Sequence, residues 1–98
     1  MKSTEIRTKQ RILIVDDSEM NRAILADMLG EGYEILEAEN GLEAVEYLKK
    51  LITNIDLLLL DIMMPLMDGF EILAVMNKYH MISGIPVIMI SAESASCV

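Results

Sequence analysis

Ninety-eight residues, 53% of them apolar, support one domain with one core and leave little room for a second. Nine Met against three Tyr, one Phe and no Trp make that core aliphatic; the chain is too apolar for a disordered segment, and no stretch reaches the roughly 18 uncharged apolar residues of a membrane span. Residues 1–11 carry Lys2, Arg7, Lys9 and Arg11 against Glu5, a net +3, so residues 12–98 sum to −11 in a chain of net −8, and an acidic body argues against direct nucleic-acid binding.

The first ten residues are expected to be a basic, solvated lead-in, and 11–98 the folded domain. No apolar segment follows the basic residues, so no secretory signal is expected. A lone Cys97 forms neither an internal disulfide nor a cysteine-based zinc site, and a cytoplasmic location is the default.

Ile12–Val15 is an apolar run without alternation, the pattern of a strand buried on both faces. Asp16-Asp17-Ser18 breaks it. Met20, Ala23, Ile24, Met28 and Leu29 recur at helical spacing, and Gly30 and Gly32 close that helix. Tyr33–Ala38 carries alternating charges, which suits an edge strand. Asn40-Gly41 caps a second helix that turns Leu42, Val45, Leu48 and Leu51 inward. Leu57–Leu60 is another apolar run and ends in Asp61. Met63-Met64-Pro65 delays the next helix, which opens at Asp68-Gly69 with Phe70, Leu73 and Met76 on one face. Gly84-Ile85-Pro86 is a loop, Val87–Ile90 a fourth strand, and Ser91-Ala92-Glu93 follows.

Strands alternating with helices of 10 to 15 residues predict a parallel sheet with helices on both faces. Ligands in such sheets bind beyond the carboxyl ends of the strands, where this chain carries Asp16 and Asp17, Asp61, and Ser91. With a strand order of 2-1-3-4, the three carboxylates converge. Mutual repulsion then calls for a hard divalent cation, Mg²⁺, with a backbone carbonyl after Asp61 as a further oxygen. A carboxylate beside Mg²⁺ can attack phosphorus to form an aspartyl-phosphate, and Ser91 is placed to hydrogen-bond a phosphoryl oxygen. One aspartate at a strand end is usually a cap; acids and a hydroxyl at three strand ends point to a site. His80, in a polar stretch after a helix, belongs to the opposite end of the sheet. Met63, Met64 and Met67 are packing residues.

Three stretches together resemble the receiver domain of two-component response regulators: Ile12–Ser18, Leu57–Glu71 and Pro86–Ala92, joined by Asn40–Ala44. Asp17 precedes Asp61 by 44 residues, and Asp61 precedes Ser91 by 30, as in that family. The resemblance implies a flavodoxin-like doubly wound α/β fold, with Asp61 as phosphoacceptor for a histidine kinase. It further implies Mg²⁺ held by Asp17, Asp61 and the Met63 carbonyl, with Asp16 acting partly through water. Ser91 resembles the switch hydroxyl and Ala92 the small residue that leaves room for the phosphoryl group. Met63 and Glu93 occupy positions that tune phosphoryl lifetime. The family continues into a fifth strand carrying a lysine and an aromatic switch residue; this sequence has no Lys after Lys78. On that basis phosphorylation is expected to be impaired, and the fourth strand and one sheet face to be open to self-association. A non-signalling interaction module is the alternative. A phosphatase-type enzyme would place a second Asp two residues after Asp61, where Met63 stands, so no enzymatic activity is expected.

Overall fold

The structure, a computed structural model, describes residues 9–51, 54–62, 69–78 and 85–90. Four strands, β1 (Gln10–Val15), β2 (Tyr33–Ala38), β3 (Leu57–Asp61) and β4 (Val87–Ile90), alternate with three helices, α1 (Glu19–Leu29), α2 (Gly41–Leu51) and α3 (Gly69–Lys78). The strands form one parallel sheet, as the sequence pattern predicts, in the order β2-β1-β3-β4 that the family resemblance implies. Its central strands are the two uninterrupted apolar runs, and charged β2 takes an edge.

Alternation along the strands divides the core. Leu13, Val15, Leu58 and Leu60 face α2 and α3, where they form a buried cluster with Ala44, Leu48 and Ile72 and with Ala38, Ile55 and Ile85. Ile12, Ile14 and Leu59 face α1, and Leu25, Ala26 and Leu29 pack against them. Among the described residues the α1 side is the thinner one: it contains three buried residues, and Ile88 of β4 stands exposed on it.

The helices differ in detail from their expected faces. On α1, Met20 and Met28 are 71% and 74% exposed and Ile24 is exposed as well, while Leu25, Ala26 and Leu29 turn inward. Leu42 of α2 and Phe70 of α3 are also exposed; Leu48 is buried as expected, and Ala44 and Ile72 join it in the core. The expectations for Leu51 and Met76 fall on side chains outside those described.

Local chemistry sets the helix ends. Ser18 Oγ accepts the Asn21 N–H, and Gly30 closes α1 at φ +79°, donating its N–H to the Ala26 carbonyl. Asn40 Oδ1 accepts the Glu43 N–H while Glu43 Oε1 accepts the Glu39 N–H, a reciprocal cap at the start of α2. β1 begins at Gln10, and Arg11 lies within it. Its guanidinium meets Glu34 at 3.1 Å, and its backbone exchanges hydrogen bonds with Asp56, N–H to Oδ2 and C=O from N–H, both at 2.8 Å. No helix among the described residues is long and apolar enough to cross a membrane.

Candidate metal and phosphoacceptor site

Strand register builds the site. Val15 of β1 is paired with Leu60 of β3, so the next residue on each strand, Asp16 and Asp61, lie side by side. Asp17 follows in the loop to α1. One oxygen from each of the three carboxylates lies within 4.8 Å of the others. The site occupies the carboxyl edge at the switch point between the β1–β2 and β1–β3 pairings, where a doubly wound sheet opens a crevice.

Asp16 and Asp61 are 3% and 7% exposed, and Asp17 is exposed. Sheet hydrogen bonds carry the chain into these positions: Asp16 N–H to the Ala38 carbonyl at 3.1 Å, and Ile62 N–H to the Ile90 carbonyl at 2.9 Å. The Asp16 carboxylate is fixed by its Oδ1, which accepts the Ser18 N–H at 2.9 Å. Like charges about 4 Å apart repel by about 1 kcal/mol in water and about 4 kcal/mol near a protein surface. Three carboxylates at this spacing, two of them nearly buried, are a hard-oxygen donor set, and the cation whose chemistry fits them is Mg²⁺ or a similar divalent ion.

Sequence reasoning missed Arg22. Its Nη1 donates to the Asp16 carbonyl at 2.7 Å, and its Nε donates to Glu37 Oε1 at 2.8 Å. The available signal was a cation one turn after the Ser18 cap, with Glu37 near the end of the strand next to β1. Met63, Ser91 and Ala92 lie outside the described residues, as do Asp68, His80, Glu93 and Cys97.

A parallel doubly wound sheet with a carboxylate cluster at its switch point defines a class of α/β domains that bind a hard cation and a charged ligand at one edge. The family profile described as the response regulator receiver domain matches residues 12–97, and the chain belongs to that family. A chemotaxis protein CheY of Halobacterium salinarum is 49% identical over 63 residues, covering 63% of this chain and 51% of that protein. A response regulator of Streptococcus pneumoniae is 44% identical over 82 residues, 83% of this chain and 36% of its relative. The chain thus spans about half or less of these curated relatives. Among solved structures, the CheX–CheY–BeF3–Mg2+ complex from Borrelia burgdorferi is similar at a TM-score of 0.76 and 40% identity, covering 85% of this chain and 62% of that one.

Proposed function

We propose that the chain is a phosphoacceptor domain of two-component signalling, in which Asp61 takes a phosphoryl group from the phosphohistidine of a histidine kinase. The observation that carries this reading is the meeting of Asp16, Asp17 and Asp61 at the carboxyl edge of β1 and β3. An Asp61 carboxylate oxygen attacks phosphorus, the phosphorus–nitrogen bond of the donor breaks, and the imidazole recovers a proton. Asp16, Asp17, Asp61 and the Met63 carbonyl would hold Mg²⁺, which when bound supplies positive charge to the phosphoryl oxygens. The relative crystallised with Mg²⁺ and BeF3 supports this assignment of the cation. Ser91 would donate its hydroxyl to a phosphoryl oxygen beside small Ala92. In this role the chain is the kinase's substrate rather than an enzyme, and it works in the cytoplasm. The thinly covered α1 side, with Ile88 exposed, supports self-association as a second property.

Incubation with acetyl phosphate and Mg²⁺ tests the central reading. The protein is expected to gain the mass of one phosphoryl group, acid-labile in the manner of an acyl phosphate, and Asp61→Asn to gain none. Equal labelling of the variant would remove Asp61 from the reaction.

A further inference from the structure

We propose that Arg22 is a positioning residue of this site, holding the main chain of Asp16 so that its carboxylate meets those of Asp17 and Asp61; the proposal rests on the Mg²⁺-binding phosphoacceptor reading above. Arg22 is on α1, and its own N–H is bonded to the Ser18 carbonyl at 3.0 Å. Its side chain, 12% exposed, runs back over the loop that links β1 to α1. There the guanidinium uses two different nitrogens for two different elements: Nη1 for the Asp16 carbonyl and Nε for Glu37 at the end of β2.

Asp16 is therefore held at three points. Its N–H is bonded to Ala38, its carboxylate to Ser18 N–H, and its carbonyl to Arg22. Of the three, only the last is made by a side chain outside the loop. The Asp16 carbonyl belongs to the peptide unit that leads directly to Asp17, so its orientation governs both carboxylates. Without Arg22 a carbonyl in a nearly buried residue loses its donor, and the peptide is free to rotate toward another partner. A lysine preserves the charge but not the planar fork that reaches both acceptors at once.

Position and charge act in opposite directions here, which makes the proposal sharp. A guanidinium beside the site repels a divalent cation, so a purely electrostatic role predicts tighter Mg²⁺ binding when it is removed. A positioning role predicts weaker binding, because groups that orient metal ligands typically matter by tenfold or more.

Calorimetric titration of the whole chain with Mg²⁺ at constant ionic strength decides between them, with Arg22→Ala, Arg22→Lys and Asp61→Asn beside the wild type, each confirmed folded by circular dichroism. Both Arg22 variants are expected to bind about tenfold more weakly. In metal-free protein, hydrogen exchange at the Ser18 amide should accelerate in Arg22→Ala while the amides of Leu13 and Leu58 stay protected; a general loss of stability would move all three. If Arg22→Ala does not fold, Arg22→Lys carries the same two readings. Unchanged or tighter binding in the folded variants, alongside loss of binding in Asp61→Asn, overturns the positioning role alone. Wild-type protein that binds no Mg²⁺ overturns the phosphoacceptor reading and the positioning role together.

Discussion

At the scale of single residues, the loop between β1 and α1 concentrates several functions in three positions. Asp16 is nearly buried and fixed, Asp17 is exposed, and Ser18 both caps α1 through its hydroxyl and holds Asp16 through its N–H. The two contributions of Ser18 separate on mutation, because alanine keeps the N–H and loses the hydroxyl. Ser18→Ala should therefore lose about 1 kcal/mol of stability, read as a lower urea midpoint at unchanged m-value. The acids were legible from the sequence because Asp16, with Asp17 beside it, and Asp61 each end an apolar run, and a parallel sheet brings such positions to one edge. Arg22 was not, because its importance lies in two acceptors, a backbone carbonyl and Glu37, that only the folded register brings within reach.

At the scale of elements, α1 shows where periodicity stops being informative. The helix is apolar on much of its circumference: Met20, Ile24 and Met28 form one stripe, and Leu25, Ala26 and Leu29 another. Spacing alone does not choose between them. The choice follows from the polar residue that shares a face with the second stripe. Arg22, Leu25, Ala26 and Leu29 stand at i, i+3, i+4 and i+7, so anchoring Arg22 over the sheet's edge turns the leucines toward Ile12, Ile14 and Leu59. In α2 the buried positions are Ala44 and Leu48, and Leu48 has no exposed surface. Leu48→Ala should cost about 2–5 kcal/mol, whereas Met28→Lys should stay within about 0.5 kcal/mol, both measured by urea unfolding. A large loss from Met28→Lys would show that the outward stripe is covered. The central strands were the easiest elements to read, since Ile12–Val15 and Leu57–Leu60 are unalternating aliphatic runs buried on both faces, whereas β4 carries the same pattern with Ile88 exposed.

At the scale of the whole molecule, two features pull against each other. The sheet has a well-filled face under α2 and α3 and a thin one under α1, and the outer edge of β4 pairs with no strand among the described residues. Both favour association. The net charge of −8 opposes it. Light scattering should consequently find the mass of the particle rising from low to moderate salt as the repulsion is screened. A monomer at every salt concentration would show that the thin face is sufficiently covered. The pairing that creates the acidic site has a further consequence, for the order in which the chain folds. Arg11 and Asp56 close β1 onto β3 across 45 residues, and the carboxylates meet at the other end of that same pairing. The β1–β2 pairing joins residues much nearer in sequence, so it closes a shorter loop at lower entropic cost. A chain that has built only β1, α1 and β2 already carries Asp16 and Asp17 but lacks Asp61, the carboxylate that completes the donor set. The acidic edge is thus a late product of folding, and a cation bound there would act chiefly as a latch that slows the chain's escape from its finished state.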